Sequence, residues 1–217
     1  MIIAVDGPAG AGKSTVARAV ARALGWDYLD TGAMYRAVAL RVLETGVAPN
    51  DGDAAAEIAR AAEIVATDNV VLLDGRDVSD RIRDDDVTAA VPAVSALPGV
   101  RRAMVAVQRS AARRGDVVIE GRDIGTNVAP EAEVKVFLTA SPQERARRRV
   151  RQQGLHESPQ VLDEVGSAII ERDKLDSSRR DSPLVQDPDA VLIDSTHMSV
   201  DEVVAAIVSL VDQKAPK

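Results

Sequence analysis

Gly7, Gly12, Lys13 and Ser14 stand in the spacing G-x-x-x-x-G-K-[ST], and each residue type has a mechanical job there in holding phosphate. Glycines let the backbone turn tightly, so that successive N–H groups point at a β-phosphate, and the lysine reaches the β and γ oxygens. Ser14 would supply a hydroxyl to Mg²⁺. The run Asp6-Gly7-Pro8-Ala9-Gly10-Ala11-Gly12-Lys13-Ser14-Thr15 thus reads as a cradle for a nucleoside triphosphate. It leaves open what receives the phosphate.

Three further groups of residues could answer that. In Leu29-Asp30-Thr31-Gly32-Ala33-Met34-Tyr35-Arg36, Asp30 or Thr31 can cap a helix, and Tyr35 and Arg36 then lie one turn in, where a ring and a guanidinium could meet a nucleotide and its phosphate. Taken alone, this is a capped helix with a surface arginine. Glu120-Gly121-Arg122-Asp123-Ile124-Gly125-Thr126 follows a Val117-Val118-Ile119 strand, and ligands of open α/β sheets sit outside the carboxyl ends of strands. The third group is helical: Pro142 opens a helix crowded with Arg145, Arg147, Arg148, Arg149 and Arg151, which gives way near Gly154. A following helix is expected to carry Arg172, Asp176 and Arg179 on one face with Arg180 adjacent. Five arginines in seven residues repel one another without an anion nearby.

The elements that must position these residues read as α/β. Residues 2–6, 116–120, 134–138 and 190–194 are short, Val/Ile/Leu-rich strand candidates separated by helical patterns, which implies a buried parallel sheet with crossover helices. Val16, Val20 and Leu24 beside Ala17 and Ala21 give the helix after the loop one apolar face, so its N-terminus points at bound phosphate. Val200, Val203, Val204, Ile207, Val208 and Val211 trace the last helix, with Ser199 as its N-cap. Between residues 46 and 100 the texture changes. Gly46, Pro49, Asn50 and Gly52 mark a loop, and 63–67, 70–74 and Val78 suggest short antiparallel strands joined at Asp68-Asn69 and Asp74-Gly75. Pro92 and Pro98 are read as punctuating the return to the core.

Composition bounds the possibilities. A chain of 217 residues, 46% hydrophobic and 28% charged, can bury one large core. The net charge of −7 argues against a nucleic-acid polymer as partner. Yet only five of the 27 basic residues are lysines; the arginines cluster at residues 101–180, and arginine suits bidentate recognition of phosphate. No cysteine is present, which removes disulfide and thiolate chemistry. Met1 leads into the first strand without a basic leader or a membrane-length apolar run, so the expectation is a soluble, cytoplasmic protein that does not engage membranes.

The arginines favour a phosphate acceptor over an alcohol. A phosphate monoester has its second pKa near ~6, so it is nucleophilic at neutral pH without a general base, but bringing it to a triphosphate demands cations in a dry site. His156 and His197 stand in no catalytic context. Kinases acting on UMP, AMP or shikimate share the first motif and remain open at this point, as does a non-catalytic nucleotide-binding module. A regulatory GTPase would carry an Asn-Lys-x-Asp stretch, which is missing.

Gly7–Thr15, Leu29–Arg36, Gly75-Arg76-Asp77-Val78-Ser79, Arg81-Ile82-Arg83, the run from Val94 through Ser95, Pro98 and Val100 to Arg101, Glu120–Thr126, and Arg172-Asp173 through Asp176-Ser177, Arg179 and Ser182-Pro183-Leu184 together resemble the signatures of bacterial cytidylate kinases, in order and over residues 2 to about 210. The resemblance implies a three-layer P-loop NTPase fold with a central parallel sheet, a small antiparallel nucleotide-binding insert at about 46–97 between core segments 1–45 and 98–217, and a helical lid at about 142–156. It implies transfer of the ATP γ-phosphoryl to CMP or dCMP with Mg²⁺, by a monomer. By position, Gly7, Pro8, Ala9, Gly10, Ala11, Gly12, Lys13, Ser14 and Thr15, with Arg147 and Arg148, would hold ATP, and Ser14 the metal. Arg36, Arg122 and Arg179 look like the clamp on the CMP phosphate, with Gly121 beside it. Thr31, Arg101 and Asp123 look like readers of cytosine, Tyr35 lines the pocket, and Arg172 and Asp176 contact sugar and phosphates. Lys13, Arg122, Arg172 and Arg179 would carry the catalysis.

Two departures from the family pattern stand out. Pro92 replaces a serine associated with the sugar, and proline offers neither hydroxyl nor N–H, which leaves the choice between ribose and deoxyribose open. Asn127, Ala129 and Glu133 replace apolar or proline residues, an expected change in packing rather than chemistry.

Overall fold

A computed structural model describes residues 1–68 and 70–214. In chain order the elements are β1 (Ile2–Asp6), α1 (Lys13–Leu24), β2 (Asp27–Asp30), α2 (Thr31–Glu44), α3 (Gly52–Ala61), β3 (Ile64–Ala66), β4 (Val71–Leu73), β5 (Arg76–Asp77), α4 (Asp85–Ala96) and α5 (Pro98–Ala112). They continue with β6 (Val117–Glu120), β7 (Val134–Thr139), α6 (Pro142–Gln152), α7 (Pro159–Ser177), β8 (Val191–Asp194) and α8 (Val200–Lys214). Two compact units form: Met1–Trp26 with Asp116–Lys217, and Asp27–Gly115.

The first unit is built on a parallel sheet in which β6, β1, β7 and β8 lie side by side. Ile3 sits between Val118 and Val134, and Val5 between Glu120 and Val136, so β1 is central. That is why it reads as an unbroken apolar run: Ile3, Ala4 and Val5 are fully buried. α1 packs on β6 and α8 through Val16, Ala17, Val20 and Ala21, the face expected from the sequence. α8 buries Val203, Ile207 and Val211. Ser199 and Glu202 cap its start reciprocally: the Glu202 N–H donates to Ser199 Oγ at 3.3 Å, and the Ser199 N–H to Glu202 Oε2 at 2.8 Å. Ser141 caps α6, and the chain leaves that helix through Gly154 at φ 64°.

The second unit starts at β2, an Asp-Tyr-Leu-Asp strand absent from the sequence-based expectations. Asp30 rather than Thr31 caps α2, accepting from the Ala33 N–H at 2.9 Å. The stretch read as a loop at Gly52 starts α3 instead, with Asp51 as its cap. Only the expected antiparallel strands persist as a small sheet, β3-β4-β5. Of its two predicted turns, Asp74-Gly75 is present with both residues at positive φ, while Asn69 of the other lies outside the described residues. Pro92 does not break the chain; it lies inside α4, while Pro98 opens α5 at the N-terminal position where proline lacks no needed bond.

Candidate active site

The phosphate loop leaves β1 at Gly7, whose φ of 149° and surroundings admit no side chain: a Cβ there would lie 2.0 Å from the Leu138 carbonyl oxygen of β7. The loop closes at Gly12, left-handed at φ 90°, which is the residue before α1 and offers no side-chain cap. The first-turn N–H groups of α1 are thereby left for an anion. Lys13 is buried, and its Nζ donates to the Pro8 carbonyl at 2.8 Å, which folds the side chain back over the loop. Burial and then the neighbouring Arg122 push its ammonium down to about 7, against the opposing pull of Glu120, Asp6 and Asp173. Two cations and three carboxylates thus share one dry neighbourhood.

Asp6, at the carboxyl end of β1, is buried at 5% exposure. Its two oxygens accept separately from the Ile124 and Gly125 N–H groups, both at 2.8 Å. These groups open a single π-helical turn, Ile124–Val128, directly after Arg122 and Asp123. Burial raises the Asp6 carboxyl to about 6, and the two N–H donors work against that rise.

Arg122, Arg172 and Arg179 converge on one carboxylate. Asp176, 1% exposed, accepts from Arg122 Nε at 3.0 Å, faces Arg172 Nε at 3.7 Å and pairs with the Arg179 guanidinium. Burial works to raise the Asp176 carboxyl, yet Arg122, Arg179 and Arg172 together hold it below the usual aspartate range. The expected shared helical face of Arg172, Asp176 and Arg179 holds only in part: α7 ends at Ser177, and Arg179 reaches Asp176 from the segment beyond it. Asp123 is buried and accepts from Asn127 Nδ2 at 3.1 Å, and the same amide donates to Ser182 Oγ at 2.8 Å. Asn127 therefore does more than pack; it ties Asp123 to the chain after α7. Gly121 continues the ladder, its N–H donating to the Val5 carbonyl at 3.0 Å.

The arginines of α6 diverge. Arg147 is half exposed and faces Glu157 at 3.6 Å. Arg148 is engaged by the protein: Nη1 donates to the Ala11 carbonyl at 3.0 Å and Ser195 Oγ at 2.9 Å, Nη2 to the Ser195 carbonyl at 2.7 Å, and Nε to Glu144 at 3.0 Å. It braces the loop from behind. Arg145, outside the expected site, donates to the Ala9 carbonyl at 3.0 Å and pairs with Asp173, whose other oxygen accepts from the Ala9 N–H at 2.9 Å. Sequence reasoning missed Asp6, Arg145 and Asp173 as site residues, although Asp6 precedes Gly7 directly and Asp173 adjoins Arg172.

In the second unit, Arg101 is 3% exposed, donates to the Ser95 carbonyl at 3.2 Å and lies 5.3 Å over the Tyr35 ring. Arg36 Nη1 donates to the Ile82 carbonyl at 3.0 Å and to Thr88 Oγ1 at 2.8 Å. Thr31 is buried in the first turn of α2. Arg36 and Arg101 thus each have hydrogen-bond partners within their own unit.

A glycine-rich cradle at a helix N-terminus, at the carboxyl edge of a parallel sheet, defines a P-loop nucleotide-binding protein of the α/β class. The model of the cytidylate kinase family matches residues 3–213. The cytidylate kinase of Mycobacterium leprae is 48% identical over 216 residues, 99% of this chain and 97% of that one. That of Solibacter usitatus is 48% identical over 213 residues, 97% and 92% of the two chains. The chain belongs to the cytidylate kinase family. A solved shikimate kinase from Bacteroides thetaiotaomicron, 14% identical, superposes with a TM-score of 0.51 over 98% of each chain, a likeness of fold. No single helix among the described residues is long and apolar enough to cross a membrane.

Proposed function

We propose that the chain transfers the γ-phosphoryl group of Mg·ATP to CMP or dCMP, giving ADP and CDP or dCDP. The observation that carries this reading is the gathering of Arg122, Arg172 and Arg179 on the single carboxylate of Asp176, in the unit that also holds the phosphate loop. Three guanidiniums on one carboxylate leave an excess of positive charge, which suits an anionic acceptor. In-line transfer then depends on positioning and charge stabilisation rather than on a base.

For the donor, Gly7–Thr15 line the polyphosphate, which Lys13 and the loop's N–H groups hold, apart from Pro8, which has none, and Ala9, whose N–H is spent on Asp173, while Arg148 sets the loop's shape from behind and Arg147 faces outward on the lid, about 142–156. For the acceptor, Gly121, Arg122, Arg172, Asp176 and Arg179 of the first unit engage phosphate and sugar, and Asp123 the base. Thr31, Tyr35, Arg36 and Arg101 of the second unit take the roles the family resemblance gives them, Arg36 for the phosphate of CMP, Thr31 and Arg101 for its cytosine and Tyr35 beside them, with the insert at about 46–97. Mg²⁺ fits the residues present. It takes one or two protein oxygens with water and phosphates completing its shell, no group of three metal-ligating side chains occurs among the described residues, and Ser14 stands exposed in the first turn of α1. Ser14 would hold it, and the ion would supply charge neutralisation across the phosphates. The enzyme acts as a cytoplasmic monomer.

The test is ADP formation from Mg·ATP with CMP, dCMP, UMP, AMP and shikimate in parallel. CMP or dCMP is expected to give the highest kcat/KM; failure of both, or UMP outpacing them widely, refutes the assignment.

A further inference from the structure

The carboxylates of Asp6 and Asp173 do something the arginine clamp needs and the phosphate-loop pattern does not record. Asp6 leaves β1 one residue before the loop and spends both oxygens on the N–H groups of Ile124 and Gly125, so the turn behind Arg122 and Asp123 is fixed to the loop's root. Asp173 is on α7, one residue after Arg172 and three before Asp176, and it spends one oxygen on the Ala9 N–H of the loop and the other on Arg145. Arg145 in turn donates to the Ala9 carbonyl, so the Ala9 peptide is gripped at both ends. Asp176 closes the circuit by joining α7 to Arg122. The path runs from the loop through Asp6 to Arg122, through Asp176 to α7, and through Asp173 back to the loop. Every link is a carboxylate on a buried or half-buried partner.

We propose that Asp6 and Asp173 are positioning residues that set the register between the donor phosphate loop and the acceptor arginine clamp, acting as two ends of one ring. Neither touches a reacting atom. A ring has a property that separate struts lack: opening it at either link releases the same register, so a second cut adds little. A shift of about 1 Å in a reacting geometry can cost on the order of a hundredfold in rate, while each half of the site, intact by itself, keeps its ligand.

This inference rests on the phosphotransfer reading but not on the identity of the acceptor, and is measured with whichever acceptor the unaltered enzyme uses best. Asp6→Asn keeps the volume but turns an amide N–H toward a backbone N–H; Asp173→Ala frees the Ala9 peptide. The expected result is a fall of at least tenfold in kcat for each, with the Kd for Mg·ATP and the KM of the acceptor within threefold, and a double variant within threefold of the worse single one. Asp6→Glu is the second route. It keeps the charge but adds one methylene between the backbone and the carboxylate that now accepts from the Ile124 and Gly125 N–H groups at 2.8 Å, so both contacts must shift, and it is expected to lower kcat in the same pattern. A kcat loss below tenfold in the folded single variants overturns the proposal, as does a Kd for Mg·ATP that weakens in parallel with kcat, or a double variant equal to the product of the singles. If Asp6→Asn does not fold, Asp6→Glu with Asp173→Ala decides by the same criteria.

Discussion

Binding of Mg·ATP is expected to take up protons, and the amount follows from Lys13. Burial and Arg122 push its ammonium down to about 7, far below the ordinary lysine range, so part of it is uncharged near neutral pH and more of it at pH 8. A polyphosphate against Nζ favours the charged form and returns the pKa toward about 10, which protonates the lysine fully over that range. The sign is fixed: a pKa raised by binding means uptake, and affinity that falls as pH rises. Uptake is expected to be positive, at most about one proton per site from Lys13, and larger at pH 8 than at pH 7, with affinity weakening as the pH rises between them. The second point is the cleaner one, because Asp6 at about 6 and phosphate near ~6 are both ionised by then. Calorimetry without acceptor, in buffers of differing ionisation enthalpy, reads the number directly. Lys13→Met should abolish the uptake. Zero or negative uptake at pH 8 would refute the electrostatic account of Lys13.

Arg122→Ala is expected to lower kcat/KM for CMP by on the order of a hundredfold or more while the Kd for Mg·ATP, read by calorimetry, changes little. An active but less stable variant would mark Arg122 as structural. Arg148→Ala should act in the opposite way: it strips donors from the Ala11 and Ser195 carbonyls, costing about 2–4 kcal/mol and hence about 5–15 °C in Tm by calorimetric scan. Arg148→Lys should recover little of that, since one ammonium cannot reach the acceptors now served by three guanidinium nitrogens.

The sequence was most legible where a residue's job is local. The loop between β1 and α1, the apolar faces of α1 and α8, and the Ser199 cap depend on spacing within one or two turns, and they are where the pattern puts them except at Val200, which is 41% exposed at the start of α8. β2 was missed because Asp-Tyr-Leu-Asp is too short and too polar at its ends to show a strand period. α3 was missed because Gly52 and the loop residues before it mask a helix whose cap is Asp51. Among the site residues, Arg148 illustrates the limit. Its type and neighbours suggest a phosphate ligand, but its partners are Ala11, 137 positions away, and Ser195, 47 away. Asp6, Asp173 and Asn127 escaped for the same reason, since each acts on a backbone or side-chain group brought near by the fold.

On the proposed reading, the arginine cluster also accounts for how a chain of net charge −7 could receive an anionic acceptor. Three guanidiniums held by solvent alone would repel and sample many rotamers, and ordering them at the moment of binding would cost affinity. Asp176 orders them beforehand at the expense of one charge, so that their guanidiniums are held in place ahead of a phosphate monoester of roughly −2 charge. The carboxylate cannot leave for solvent, being 1% exposed, and its pKa is held low, so it stays ionised across the neutral range. Lysines could not be fixed this way, because a compact ammonium on a flexible stem lacks the planar fork that lets an arginine bind a carboxylate with one edge and a phosphate with the other. On the proposed reading, Arg122, Arg172 and Arg179, rather than the arginine excess between residues 101 and 180 as a whole, are a clamp assembled before its ligand arrives.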